Sequence, residues 1–413
     1  MPYYSFIILC HNNNELTKQA IETLINSLEI TFIDRGIEII VVDNGSIDST
    51  ELVVKNIISS NTKQKIEIIY IRLIENRGYP VGINIGLSHC RGEIIGVLNN
   101  DLIFPVNWFN GLVEVLENNQ IIGVAAPYLS YAYGIQGTDV RFNSIDEINV
   151  FSKEFISKNK GNITYITRVI GACMIIKRQV LQEVGGNDFF FGIGHFDDDD
   201  WCLRIRIAGY KIAVVGSSFV YHIGSKTFKT IKEDINHFVS INRSKFYRKW
   251  KLSKDRNINS VYIDREEYIK KNPYVRDRDY IPSSYTRYQI CDNSNLDKKG
   301  NKILFIADWE NEYSKWKEKL EKTINNHEYN RIYLWIPSNY YNFHNVVSSI
   351  KMNTLRKFNS DNINNVIYIN ENIRHRDILG FINEFDDIVQ IEEDFVNKYI
   401  VYLANKLRKK IYL

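Results

Sequence analysis

The sequence predicts an α/β protein: a large N-terminal domain on a mostly parallel central sheet, followed by a smaller α/β domain. Three observations predict this. Short, almost continuous apolar runs alternate with helical patterns through the first 225 residues, polar residues collect immediately after those runs, and the alternation starts again at Lys302.

The runs SFIILC, IEIIVVD, IEIIYIR, IIGVLN and IGVAAP read as strands covered on both faces, because they lack the polar alternation of a half-exposed sheet. Between them ELTKQAIETLINSLE, STELVVKNIIS and VGINIGLSHC read as helices. Beyond Pro127 the rhythm loosens, then resumes at TYITRVIGACMIIKRQVLQEVGG, which reads as two strands and a short helix. INHFVSINRSKFYRKW reads as a basic helix closing a domain over residues 1–250. The charged, tyrosine-rich DREEYIKKNPYVRDRDYIPSSYTRY, with two prolines and no period, predicts a linker or surface-wrapping segment within 251–300. Residues 301–413 then read as KILFIAD, SKWKEKLEKTINN, RIYLWIP, NVIYIN, a helix near 373–383, DIVQIEED and a last helix to the C terminus. No glycine-rich phosphate loop marks this second domain. Asn-rich runs such as HNNN read as composition.

With 44% hydrophobic and 24% charged residues the chain has the make-up of an ordinary globular protein, and a net charge of +3 is too small to argue for a nucleic-acid partner. The five cysteines, Cys10, Cys90, Cys173, Cys202 and Cys291, are scattered and form no C-x-x-C pair, which fits a reducing compartment. No apolar run reaches the ~18 residues of a membrane span, and MPYYSFIILC lacks a basic n-region, so a cytoplasmic location is expected. The basic NKLRKKIYL reads as a solvated helix end, with contact to the anionic inner face of a membrane as the other reading.

In an open parallel sheet, ligands bind at the carboxyl ends of the strands. There the sequence places His11 and Asn12, then Asp43, Asn44, Gly45 and Ser46, then Asn99, Asn100 and Asp101. Taken alone, VDNGSIDST is equally a turn followed by a helix cap. The run FDDDDW is harder to explain. Four adjacent carboxylates repel unless a helix N-terminus, a metal or a proton offsets them, and crowding raises the proton affinity of at least one. Leu203 and Ile207 at helical spacing predict that the run opens a helix, with Asp199 and Asp200 near its positive end.

Taken in order, FIILCHNNNE, IIVVDNGSIDST, NRGYPVGINIGL, VLNNDLIFP, GACMIIKRQVLQEVGG, FDDDDWCLRIRIAGYKI and VYHIGS resemble the family 2 inverting glycosyltransferases over residues 1–250. The LNND form most resembles the rhamnosyl- and galactofuranosyltransferase-like branch. The resemblance implies a GT-A nucleotide-sugar-binding fold, a nucleoside diphosphate sugar donor and a glycan, lipid-linked sugar or protein as acceptor. It implies that Asp43 holds the base and ribose edge and that Cys10 and Asn12 lie at the nucleotide, although CHNN replaces the family's Thr-Tyr-Asn-like run. Arg77 would be a cation for the diphosphate and Gly78 a point of close backbone approach, with Asn84, Asn99 and Asn100 as further nucleotide contacts. Gly82 and Gly86 fit equally a closely packed helix. Asp101 matches the last acid of an Asp-x-Asp motif holding Mg²⁺ or Mn²⁺, with His222 as second protein ligand; one carboxylate of the motif is missing. Asp198 matches the catalytic base. Asp197, Trp201 and His195 would face the acceptor, Trp201 and His195 fitting core or surface as well.

Two other classes use similar residues. A metal-dependent phosphohydrolase or nucleotidyltransferase would place an acid, or a glycine-rich basic loop, after the first strand, and FIILCHNNN has neither. A non-catalytic sugar-nucleotide-binding module is disfavoured by the joint presence of Asp43, Asp101, Asp198 and His222. No G-x-G-x-x-G follows a strand, which disfavours nicotinamide chemistry. A processive synthase would carry Gln-x-x-Arg-Trp and membrane helices, so addition of a single sugar is expected. Acceptor binding, a partner or a second copy of the chain are the open roles for the C-terminal domain.

Overall fold

The computed structural model describes residues 2–29, 35–61, 66–132, 134–224, 235–252, 269, 271–283, 301–310, 315–325, 331–337, 339–358, 365–370, 373, 378–389, 400, 403–405 and 407–412. The chain packs as two units. One comprises Met1–Asn187, Asp197–Ile235 and Arg256–Ser283, the other Asp188–Phe196, Asn236–Asp255 and Ser284–Leu413.

In the first unit, strands β1 (Tyr4–Cys10), β2 (Ile37–Asp43), β3 (Ile66–Arg72) and β4 (Ile94–Asn99) are mutually parallel in the order β3-β2-β1-β4. The sheet continues through β8 (Cys173–Lys177), β6 (Ile122–Leu129) and β9 (Lys211–His222) to the two-residue β5 (Leu102–Ile103), with β7 (Ile163–Ile166) also on β9. Only β5, β7 and β8 run against their neighbours.

The period of two along β1 explains why its run is continuously apolar. Tyr4, Phe6, Ile8 and Cys10 enter one core with Ala20, Ile21 and Leu24 of helix α1 (Asn14–Glu29) and Leu112 and Leu116 of a helix over Asn110–Asn118. Ile7 and Leu9 enter the other, with Ile83 and Leu87 of a helix over Tyr79–His89 and Trp201, Cys202 and Ile205 of a helix over Asp197–Ile207. Cys10, Cys90, Cys173 and Cys202 are buried free thiols that pack as small apolar residues; Cys291 lies outside the described residues.

Strand β9 was not anticipated as one element. Its pairing with β6 shifts once between Ile122 and Val124, runs in register from Val124↔Ile212 to Pro127↔Val215 and resumes at Tyr128↔Phe219, so residues 216–218 bulge out. This shift sets the phase in which β9 delivers His222 opposite Leu102 on β5, beside Asp101.

The second unit has its own parallel five-stranded sheet. Its order is β12 (Val366–Ile369), β11 (Arg331–Trp335), β10 (Lys302–Phe305), β13 (Asp387–Val389), β14 (Lys410–Tyr412). The expected last helix is corrected here: residues 403–405 are helical, but the chain then turns and its basic end forms β14, because Lys410–Tyr412 completes the edge of the sheet against β13. The helix Ile235–Lys249, expected to close the first domain, has all but its first residue in this unit, where Lys249 Nζ donates to Asp188 Oδ2 (2.7 Å) and Arg248 Nη2 to Glu310 Oε2 (2.8 Å). Of the expected linker, residues 271–283 lie on the first unit, where Gly186 N–H donates to the Ile281 carbonyl (2.6 Å); most of the remainder is outside the described residues. No helix among the described residues is long and apolar enough to cross a membrane.

Gly82 and Gly86 face the sheet at close range: a Cβ there would lie 2.4 Å from Leu9 Cδ1 and 2.5 Å from Ile7 Cγ2. Gly86→Val therefore overpacks the core beneath the helix, and chemical denaturation is expected to show a loss of about 2 kcal/mol or more.

Candidate active site

The strand order reverses beside β1, which lies between β2 and β4, and this is the position at which open parallel sheets form a ligand crevice at their carboxyl ends. The rim of this crevice is cross-linked by asparagines. Asn12 and Asn13 take left-handed backbone conformations (φ 56° and 60°), which asparagine tolerates better than most residues. In this geometry Asn12 N–H donates to Ser46 Oγ (2.8 Å) and Asn12 Oδ1 accepts from Ile47 N–H (2.9 Å), joining the ends of β1 and β2. Asn44 accepts from Arg77 N–H (2.9 Å) and donates to Asn76 Oδ1 (3.0 Å) and the Gly78 carbonyl (3.1 Å). The HNNN run is thus a structural clamp and not a matter of composition. Gly45 is required in the turn, since its φ is +75° and a Cβ would lie 2.3 Å from the Glu75 carbonyl carbon.

Asp43 is fully buried behind this rim. Its Oδ1 accepts from Ser46 N–H (2.8 Å), its Oδ2 accepts from the Tyr70 hydroxyl (2.7 Å), and Arg72 Nε stands 3.7 Å away. Burial, with the carboxylate beside it, pushes the Tyr70 phenol far above its ordinary value, so it remains a donor. Arg77 is almost wholly buried, 3.9 Å from the Glu75 carboxylate, and Gly78 (φ 85°) starts the helix Tyr79–His89.

Four sequence-predicted contacts are engaged by the protein itself. The Cys10 thiol is buried in the core and donates to the Val42 carbonyl (3.6 Å), and its own carbonyl accepts from Asn44 N–H (2.8 Å). The Asn84 amide is spent on Asn187, donating to its carbonyl and accepting from its N–H, both at 2.8 Å. Trp201 is 1% exposed and its indole N–H donates to the Gly185 carbonyl (3.0 Å), so its ring packs in the core and has no free face for an acceptor sugar. Asn100 is buried and donates to Thr17 Oγ1 (2.9 Å). His195 groups with the second unit, where its carbonyl accepts from Asn242 Nδ2 (3.1 Å).

Asp101 and His222 do meet. His222 Nδ1 lies 2.9 Å from the Tyr131 carbonyl, which can only accept, so this nitrogen carries a proton and Nε2 is turned to Asp101 Oδ1 at 3.4 Å. That oxygen is buried and accepts no hydrogen bond among the described residues, and Asn99 Oδ1 is a second such buried oxygen. Burial works against the imidazolium, but Asp101 and the Tyr131 carbonyl outweigh it and hold His222 above its ordinary value. A lone pair facing a carboxylate oxygen at this distance is favourable only with a cation or proton between them. The carboxylate oxygen suits Mg²⁺ or Mn²⁺, and the imidazole nitrogen favours the transition metal of the two, so the pair fits a divalent ion, Mn²⁺ better than Mg²⁺, as two of its ligands. No cluster of three or more acidic, histidine or cysteine groups that could hold a metal exists among the described residues.

The four aspartates reach four different solutions. Asp197 is buried, and burial followed by the charge of Asp198 holds its carboxyl far above the usual range, so it keeps its proton. Asp199 takes Arg168 Nη1 on both oxygens (3.0 and 3.2 Å). Asp200 pairs with Arg204 one turn on (2.9 Å); both are fully buried, and Arg204 also donates to the Val184 (2.8 Å) and Gly186 (2.5 Å) carbonyls. Asp198 alone is half-exposed. Its oxygens accept from Asp199 N–H (3.0 Å) and Gly171 N–H (3.2 Å).

Sequence reasoning missed Tyr70, Arg168, Gly171 and Tyr79. The last two lie inside quoted motifs, but no spacing rule singles them out. The Tyr79 phenol is pushed well up by burial first and then by the negative charges of Asp197, Asp198 and Asp101. Asp43, on the neighbouring strand end, has the separate environment described above.

Residues 5–185 match the sequence model of Glycosyl transferase family 2. The chain is 24% identical over 236 residues to protein y4gI of Sinorhizobium fredii, covering 54% of this chain and 24% of that protein. It is 24% identical over 215 residues to Glycosyltransferase AglE of Haloferax volcanii, covering 51% and 64%. The chain therefore spans less than two thirds of either relative. Among solved structures, the mannosyltransferase PcManGT from Pyrobaculum calidifontis in complex with GDP-Man and Mn²⁺ shares 18% identity at a TM-score of 0.42 over 60% of this chain and 62% of that one. GalNAc-T7 with UDP, GalNAc and Mn²⁺ shares 16% at 0.43, over 65% and 53%.

Two stability outcomes follow from the acidic run. Arg204→Met takes the buried guanidinium away from the buried Asp200 carboxylate and is expected to cost about 3–5 kcal/mol in urea unfolding, part of it regained in Asp200→Asn/Arg204→Met. Native Asp197 keeps a proton that the unfolded chain releases above pH ~4, so the native state binds more protons and stability falls as pH rises. Asp197→Asn should accordingly be more stable than the parent protein at neutral pH, with the difference shrinking toward pH ~4.

Proposed function

From a glycosyl transferase family 2 domain over residues 5–185, we propose that the first unit transfers one sugar from a nucleoside diphosphate donor to an acceptor hydroxyl with inversion. The observation that carries this reading is the pairing of Asp101 with His222, 3.4 Å apart, at the strand edge whose one half-exposed aspartate of the acidic run is Asp198.

Asp101 and His222 would hold a divalent cation, with diphosphate oxygens completing the shell in place of the missing carboxylate of the Asp-x-Asp motif. Bound there, the ion would offset the negative charge that gathers on the diphosphate as the glycosidic bond breaks. The asparagine-linked rim of residues 11–13, 44–47 and 75–78 would seat the nucleotide. Asp198 has one backbone donor on each oxygen and solvent access, so a lone pair stays available to receive the proton of the acceptor hydroxyl as that oxygen attacks the anomeric carbon. The bonding pair leaves with the diphosphate. Asp197, kept neutral, adds no second charge beside the base.

Asp198→Asn should bind donor as the parent does but transfer sugar about 10²- to 10⁴-fold more slowly. Undiminished turnover would remove Asp198 from the role. Calorimetric titration with Mn²⁺ and a nucleoside diphosphate should show Asp101→Asn and His222→Ala weakening metal binding, and chelator should abolish transfer; full activity in excess chelator would contradict the metal assignment.

A further inference from the structure

We propose that Tyr79 is a positioning residue for Asp198 and acts through Gly171; the inference rests on Asp198 being the base of the proposed transfer. The Tyr79 hydroxyl donates to the Gly171 carbonyl (2.9 Å), and Gly171 N–H donates to Asp198 Oδ2 (3.2 Å). Gly171 is held on both sides as well. Ile170 N–H donates to the buried side chain of Gln136 (3.0 Å), which is itself anchored to the Pro127 carbonyl (3.1 Å), and Asn99 N–H donates to the Ala172 carbonyl (2.9 Å). The residue that points a donor at Asp198 therefore has its backbone fixed at three points, and only the one from Tyr79 comes from a side chain next to the nucleotide rim.

Tyr79 directly follows Gly78, whose carbonyl accepts from Asn44 and whose N–H donates to Asn76 Oδ1 (2.9 Å). A continuous path of bonds thus runs from the rim through Tyr79 and Gly171 to Asp198. Gly171 also stands close enough that a Cβ would lie 3.3 Å from Asp198 Cβ and 3.7 Å from the Tyr79 hydroxyl oxygen. The contact has little slack: a displaced Gly171 moves the base or loses it. Sub-ångström placement of a proton acceptor matters because a shift of about 1 Å in a reacting group costs about 100-fold in rate.

The test is Tyr79→Phe, which keeps the ring and removes the hydroxyl, with Gly171→Ala acting from the other end of the link. For Tyr79→Phe, kcat should fall about 10- to 100-fold while nucleoside diphosphate affinity and donor KM stay unchanged. In an Asp198→Asn background the same change should cost nothing further, because the base it positions is gone. An unaltered kcat, a loss of donor affinity in step with kcat, or a full additional loss in the Asp198→Asn background would each overturn the proposal. Hydrogen exchange of the folded full-length chain decides the link without turnover. Peptides spanning 168–173 and 197–201 should exchange faster in both variants while 4–10 does not change; unchanged exchange at 168–173 and 197–201 overturns the link. Absence of sugar transfer by the parent protein would instead count against the proposed function and leave the exchange result to stand by itself.

Discussion

Negative charge gathered at the carboxyl edge of a parallel sheet has to be compensated one group at a time, and the first unit is arranged around that requirement. In a medium of low dielectric, each unpaired carboxylate costs several kcal/mol. Asp43 is met by a turn amide, a phenol and a guanidinium; Asp199 and Asp200 by one arginine each; Asp197 by a proton; Asp101 by an imidazole at a longer distance. Asp198 differs because both its oxygens take neutral backbone donors and it keeps access to solvent. The arrangement leaves two places where further charge or hydrogen bonding is accommodated, the Asp101–His222 pair and the Asp198 carboxylate.

Rigidity of the frame follows from the same economy of groups. Asparagine amides both accept and donate, so Asn44 and Asn84 each tie backbone segments together, and Asn12 does so through its side-chain oxygen and its backbone N–H, without adding charge to an edge already crowded with it. Behind the rim, alternate residues of β1 enter two separate cores, one on each face of the sheet. Dipoles and carboxylates held this way need little reorganisation when charge develops beside them, which is the physical basis of electrostatic preorganisation.

The second unit solves a different packing problem. Its parallel sheet also has a central strand, β10, with successive strands placed to either side. Around the residues that follow its strands, Tyr340 stacks on Phe190 (centroids 4.1 Å apart, 10° between planes), and Asp188 accepts from both Tyr340 (2.6 Å) and Lys249 (2.7 Å). Three segments far apart in sequence, 188–196, 236–249 and the strand ends, thereby share one core.

Much of the architecture was legible in order along the chain. Continuous apolar runs announced strands because both faces of this sheet are buried, and the residues after SFIILC and IIGVLN lie at the crevice because connections reverse there. That four adjacent aspartates needed separate compensation was legible as well, from charge alone. Which compensation each received was not. Helical phase sends Trp201 and Asp200 inward and leaves Asp198 partly exposed, Asn84 meets a partner more than a hundred residues away, and a bulge in β9 sets the register that brings His222 to Asp101. The sequence by itself determined which segments are buried and where polar groups collect, since those depend on local periodicity. Tertiary structure decided which of those groups face one another, since that depends on the register and rotation of elements that meet only in the folded chain.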